Sequence, residues 1–231
     1  GCPYSSVFTE ENQKKLQDII KGGTLYEAIE TWLERTPFIE LGDFDFLESY
    51  KEAVGRMLEK EKVAILASAY LTDHEKEMRL KMLGGTDTFF QTVLDKEHHQ
   101  QMQWEGKIRM SYDATIAALF INLYRDEPIL QLPFQLLTCI IEIDDSLTTW
   151  RYRHAQMVMR MLGNKIGTGG SSGHLYLRET AEKHHIFKDL HNISTLLIPR
   201  SELPVLPLKI IKNLGYYFNF QKIDDYLEDS M

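Results

Sequence analysis

The sequence predicts an all-α bundle, and three observations predict it. Apolar residues recur at helical spacing nearly throughout, capping residues sit where those patterns begin and end, and no segment alternates convincingly as a strand. No internal repeat or low-complexity linker divides the chain, so residues 1–231 read as a single helical domain portion.

Residues 1–23 are largely polar and carry little core-forming material, and the apolar positions Leu16, Ile19 and Ile20 suggest docking onto something else. Thr24-Leu25-Tyr26-Glu27 reads as a capping box. It opens a helix whose stripe is Leu25, Ile29 and Leu33, ending before Pro37. A second helix is expected from about Asp45 to Tyr70, with Leu47, Tyr50, Val54, Met57 and Leu58 on its inner face. Residues 73–83 predict a charged helix that Gly84-Gly85 ends, and Asp87 is placed to cap a short successor through Phe89, Phe90, Val93 and Leu94. The strongly apolar run from Ser111 to Tyr124 predicts a helix buried on most sides, with Glu127-Pro128 as the break. The longest helix is expected from Pro133, tolerated in a first turn, to Gly163, a C-terminal stop. A glycine-rich loop follows at 167–173. One more helix, roughly 174–191, then leads into an irregular tail with Pro199, Pro204 and Pro207.

Composition excludes several classes. Hydrophobic residues make up 43% and charged residues 26%, ordinary for a soluble globular chain. The formal charge of −8 argues against affinity built on neutralising phosphates, so no nucleic-acid partner is expected. No apolar run is long enough to span a bilayer, and no signal-peptide pattern opens the chain, so no membrane partner is expected either. The two cysteines, Cys2 and Cys139, build no disulfide framework and fit a reducing, cytoplasmic compartment. The start at Gly1 rather than Met is read as processing, or as a cut from something longer.

Two places carry candidate chemistry. Leu147, Trp150, His154, Met157, Val158 and Met161 fall on one helical face. A histidine within such a stripe is either a hydrogen-bonded core residue, the commoner case, or a ligand offered to a hydrophobic cofactor. Haem would suit it, because a flat apolar macrocycle packs on Trp, Met and Val while its iron takes one imidazole. The second place is the run Gly167-Thr168-Gly169-Gly170-Ser171-Ser172-Gly173, whose N–H groups can converge on an anion. It lacks the lysine of a P-loop and the strand of a dinucleotide fingerprint, and an ordinary flexible linker remains open. The adjacent pairs His98-His99 and His184-His185 do not share a helical face, so each is a poor chelating pair and a zinc enzyme is not expected. Asp144 and Asp145 read either as a general-acid pair or, more simply, as a solvated or ion-paired face near Arg151.

Trp150-Arg151-Tyr152-Arg153-His154, the glycine-rich run, Tyr176-Leu177-Arg178 and Ser194-Thr195-Leu196-Leu197-Ile198-Pro199-Arg200 together resemble the tryptophan 2,3-dioxygenase family. Upstream the resemblance takes in Trp32-Leu33-Glu34-Arg35-Thr36-Pro37, Tyr124-Arg125-Asp126-Glu127-Pro128 and Pro133-Phe134-Gln135-Leu136-Leu137-Thr138. It implies a helical bundle of the haem-dependent tryptophan/indoleamine dioxygenase type, incomplete at the N-terminus. The implied enzyme is a homotetramer that uses haem b to insert both atoms of O₂ across the indole C2–C3 bond of L-tryptophan, giving N-formylkynurenine. The resemblance makes His154 the proximal iron ligand, with Trp150, Met157, Val158 and Met161 as haem-pocket residues. It makes Thr168 a contact for the amino-acid end of the substrate, beside Gly167, Gly169 and Gly170. A second, non-catalytic tryptophan site would use Trp32, Arg35, Thr36 and Pro37, although Ile129 stands where the animal enzymes have an arginine.

Other departures are Arg153 for an asparagine, His174 for a tyrosine, and Asp145-Ser146-Leu147 displaced by one residue. The family's His-Gln-Ala-Tyr-Glu-Leu-Trp-Phe-Lys stretch has no counterpart. The distal histidine and the carboxylate-gripping arginine are therefore expected to come from elsewhere, such as a complementary N-terminal fragment, and no catalytic side chain is expected here. Two rival readings are a non-catalytic truncated paralogue, which binds haem or associates with full-length chains, and a haem-dependent oxygenation of another indole.

Overall fold

The computed structural model describes residues 9–36, 40–41, 44–163, 173–183 and 185–214. Its helices in chain order are α1 (Glu10–Lys21), α2 (Leu25–Glu34), α3 (Phe46–Ala67), α4 (Asp73–Leu94), α5 (Lys96–Trp104), α6 (Tyr112–Leu123), α7 (Pro128–Leu162), α8 (Gly173–Lys183), α9 (Lys188–Asn192) and α10 (Leu208–Leu214). Two 3₁₀ turns, Ile193–Leu196 and Arg200–Glu202, link α9 to α10. The all-α expectation holds, with one small addition. Two antiparallel two-residue strands, β1 (Glu40–Leu41) and β2 (Phe44–Asp45), pair Glu40 with Asp45 and Leu41 with Phe44.

Helix α6 is the centre. Ala114, Ile116, Ala117, Ala118, Leu119, Phe120 and Ile121 are all buried, because α6 is apolar around its whole circumference and α2, α5, α7 and α9 pack about it. Phe46, at the start of α3, meets Phe120 edge-on at 5.0 Å, and Phe120 meets Tyr124 at 5.1 Å. Each such side chain contributes roughly 1.5–3 kcal/mol through burial. Tyrosine hydroxyls tie this core to distant backbone. Tyr50 donates to the Leu196 carbonyl, Tyr112 to Leu94 at 2.8 Å and Tyr124 to Pro204 at 2.7 Å. Burial, reinforced by the Asp95 and Asp113 carboxylates, pushes the Tyr112 hydroxyl up to about 12, and burial raises Tyr50 and Tyr124 as well. All three therefore stay protonated donors at neutral pH.

Local signals set several boundaries. The Thr24 box forms as expected, with Glu27 N donating to Thr24 Oγ1 and Thr24 N to Glu27 Oε2. Asp45 caps α3 through Glu48 N. Gly163 ends α7 in a left-handed backbone, φ +62°, which an L side chain adopts only with strain.

Four expectations are corrected. First, Gly84-Gly85 does not end a helix. Helix α4 runs unbroken through both, and Asp87, instead of capping, accepts from Gln91 Nε2 at 3.0 Å. Two interior glycines cost about 1 kcal/mol each relative to alanine. A Thr72–Glu75 capping box at one end, and burial of Phe90 and Leu94 at the other, offset that cost. Second, α7 begins at Pro128 rather than Pro133, because Pro128 fills the first helical position and the earlier start buries Leu130. Pro133 then lies inside the helix, without the N–H that would bond the Ile129 carbonyl. Third, the single helix expected over 174–191 is two, α8 and α9. Their separation follows from Asp144, whose carboxylate takes the N–H groups of Ile186 and Phe187. Fourth, the tail is less irregular than expected, since Ile210 and Ile211 both donate to the Pro207 carbonyl and open α10.

A Cβ built on Gly84 meets nothing within 4 Å. Gly84→Ala should therefore stabilise the fold by about 0.5–1 kcal/mol, read as a raised urea midpoint. Destabilisation would mean that the helix stops at residue 84 after all.

Candidate functional site

Helix α7, 35 residues long, presents two apolar faces. Leu130, Leu137, Ile140, Asp144, Thr148 and Ala155 form the buried one, packed against the bundle and α8. At about 100° per residue, a second stripe lies roughly 120° around the axis. It comprises Leu132, Leu136, Ile143, Leu147, Trp150, Met157 and Met161, and every one of these is exposed. Trp150 is 61% accessible and Met161 74%. Among the described residues nothing covers this stripe, although solvent-facing helix positions are ordinarily polar.

His154 sits in that second stripe, half-buried, in the last third of the helix. Its ring lies 5.7 Å from the Trp150 indole, tilted by 61°, one turn away. Val158, also half-buried, follows one turn later. The structure thus brings His154, Trp150, Met157, Val158 and Met161 onto one open face. An imidazole framed this way can offer a nitrogen lone pair to a metal while the surrounding carbon packs against a flat apolar ligand. Arg153 points away to solvent. Thr168, Gly167, Gly169 and Gly170 lie outside the described residues, as does Pro37.

Trp32, Arg35 and Thr36 are brought together where the end of α2 meets the start of α7. With Ile121, Ile129, Leu130 and Pro133 they line a pocket of about 130 Å³. The residues α7 contributes, Ile129, Leu130 and Pro133, are all apolar, so Arg35 supplies the positive charge in this lining.

Asp144 corrects the reading of Asp144-Asp145 as a solvated face or acid pair. Its side chain is 0% accessible, and its two oxygens accept from Ile186 N and Phe187 N, each at 3.0 Å. Asp145 does face solvent. His185 and His191 both approach Asp144 Oδ2, at 3.7 and 3.9 Å. No spacing in the sequence relates residues 144, 185 and 191, and the signal that places them together is the fold itself. His99 is buried and donates from Nε2 to the Met110 carbonyl at 2.9 Å, a core histidine. No helix among the described residues is long and apolar enough to cross a membrane.

The family model described as tryptophan 2,3-dioxygenase matches residues 2–197. A tryptophan 2,3-dioxygenase from Bdellovibrio bacteriovorus is 43% identical over 216 residues, covering 94% of this chain and 60% of its own length. Those of Dictyostelium discoideum and Xenopus laevis are each 42% identical, covering 90% and 91% of this chain and 52% of their own length. The chain therefore spans about half to three-fifths of the curated relatives it matches.

Removing the Asp144 carboxylate leaves two backbone donors without partners. Asp144→Ala should cost about 2–4 kcal/mol, measured by urea unfolding, because each unpaired buried group costs about 1–3 kcal/mol. An unchanged midpoint would show that water replaces the carboxylate at no loss.

Proposed function

The chain belongs to the tryptophan 2,3-dioxygenase family, and from that premise we propose that it supplies the haem-ligand side of an enzyme opening the indole ring of L-tryptophan with O₂ to give N-formylkynurenine. The observation that carries this reading is the open stripe of α7, where His154 stands among Trp150, Met157, Val158 and Met161. These residues fit haem. The donor is one imidazole, the wall is indole and thioether carbon, and no fixed charge lies within the stripe from Leu147 to Met161.

Haem bound there would supply the O₂ binding and redox chemistry that side chains lack. The chain's own residues would position and tune. His154 would offer one ring nitrogen to the iron, and the other nitrogen's hydrogen bond would set its basicity. Trp150 packs against the imidazole and limits its rotation. Thr168 would hold the amino-acid end of tryptophan, with Gly167, Gly169 and Gly170 letting backbone approach the ligand. The exposed length of the stripe supports a site closed by further protein, whether from a homotetramer or from a complementary segment. We read the chain as one helical unit of that assembly. The pocket at Trp32, Arg35 and Thr36 is consistent with a second indole subsite in which Ile129 adds apolar wall rather than charge.

His154→Ala should abolish the histidine-ligated ferrous haem spectrum and the bound haem, while His191→Phe should leave both. Retention of that spectrum in His154→Ala would eliminate the assignment. Thr168→Ala should keep haem and weaken tryptophan binding about ten- to a hundredfold, the worth of one charge-assisted hydrogen bond. Unchanged affinity would remove the loop from the substrate site.

A further inference from the structure

On the buried side of α7, three side chains from distant parts of the chain converge. The ligand atoms offered by Asp144, His185 and His191 all lie within 4.8 Å of one another. His185 Nδ1 is 3.7 Å from Asp144 Oδ2, His191 Nε2 is 3.9 Å from the same oxygen, and His191 Nε2 is 3.7 Å from Asp145 Oδ1. The two imidazole rings meet edge-on, with centroids 5.8 Å apart. His191 Nε2 is buried and has no hydrogen-bond partner.

We propose that Asp144, His185 and His191 form a binding site for one divalent cation of the zinc class. The separations argue for it first. At 3.7–3.9 Å the nitrogens are too far from the carboxylate for hydrogen bonds, which require about 2.7–3.2 Å. Two ligands on one tetrahedral cation, each about 2.0–2.2 Å from it, stand about 3.3–3.6 Å apart. Each imidazole therefore needs to close on the carboxylate by only a few tenths of an ångström, and the two imidazole nitrogens stand within 4.8 Å of each other.

Ligand chemistry argues second. Asp144 spends one lone pair of each oxygen on a backbone N–H and keeps another on Oδ2, on the side of the histidines. Those same N–H bonds orient the carboxylate, as outer-sphere partners do in metal sites. Two neutral imidazoles and one carboxylate select zinc-like ions over magnesium or calcium, which prefer all-oxygen shells. A fully buried carboxylate is costly without compensation, and a dication supplies it. The orphaned Nε2 of His191 gains its missing partner in the same step. Asp145 or water completes the fourth position.

Such an ion would staple α7 to the segment before α9 and to α9 itself. It is separate from the proposed haem ligand, because residues 144 and 154 lie about 15 Å apart along the helix and face different ways.

The test uses tag-free protein without haem, titrated with Zn²⁺ against a chromophoric chelator and with Co²⁺ as a spectroscopic probe. One ion should bind per chain, Co²⁺ should show the intense visible bands of four-coordination, and Zn²⁺ should raise the melting temperature. His191→Phe and His185→Gln should each weaken binding by roughly a hundredfold or more, beyond what loss of an outer-sphere partner costs. Circular dichroism and melting in EDTA, matched to the parent, show that each variant folds; either one suffices if the other does not. His154→Ala should bind Zn²⁺ as the parent does, whatever becomes of its haem. No saturable binding, undiminished binding in the folded histidine variants, or loss of the Zn²⁺ site in His154→Ala would each overturn the proposal.

Discussion

A helix as long as α7, about 50 Å at 1.5 Å per residue, cannot be buried on all sides by a chain of this size. One face must be given to the bundle, and here the rest of the fold is arranged around that face. Leu130 and Leu137 reach the core built on α6, Ile140 extends it, and α8 packs along the same helix. The second apolar stripe does not take part. Leaving Trp150 and Met161 exposed forfeits burial worth roughly 1.5–3 kcal/mol for each such side chain, which is hard to reconcile with a surface whose only neighbour is water. The pattern makes sense if the stripe is a binding wall. Within that wall His154 is the single imidazole between Leu147 and Met161.

Two buried or half-buried carboxylates hold the other side together in the same way. Asp144 captures the N–H groups of Ile186 and Phe187, while Asp189 Oδ2 captures those of Arg109 and Met110, each at 2.8 Å, and also accepts from the Tyr26 hydroxyl. Consecutive backbone donors pointing at one carboxylate require an irregular turn, so each acid replaces a stretch of helix with a fixed bend. The Arg109 guanidinium then covers the Tyr26 ring at 3.7 Å. Helices α2, α6, α7 and α9 are thereby locked through polar contacts that complement the apolar core rather than compete with it.

Much of the fold was legible because its signals are local. A capping box, an apolar run without a polar face and a glycine after the last helical turn each act within four or five residues. The sequence thus announced α2, α6 and the end of α7 directly. The position of His154 beside Trp150 on one helical stripe was legible for the same reason, since one helix carries the whole stripe. The failures share the opposite property. Gly84-Gly85 looks like a stop until the anchoring of Phe90 and Leu94 against α3 is known, and that contact spans elements. Pro133 looks like a start because nothing local reports that Leu130 is buried. The break between α8 and α9 is dictated by a carboxylate some forty residues away.

The cluster at Asp144 is the extreme case of that non-local class. Sequence spacing identifies a metal site when its ligands share one element, as in motifs with two histidines one turn apart. Here the ligands come from three places: the middle of α7, the segment before α9, and α9 itself. The carboxylate comes first, since its hydrogen bonds to residues 186 and 187 bring His185 alongside, and the short helix that follows returns His191 to the same oxygen. The backbone geometry that satisfies a buried acid is thus also the geometry that assembles the two imidazoles. A site formed this way depends on the fold being complete before any ion arrives. By contrast, His154 is presented by a single helix and would offer its nitrogen as soon as that helix forms.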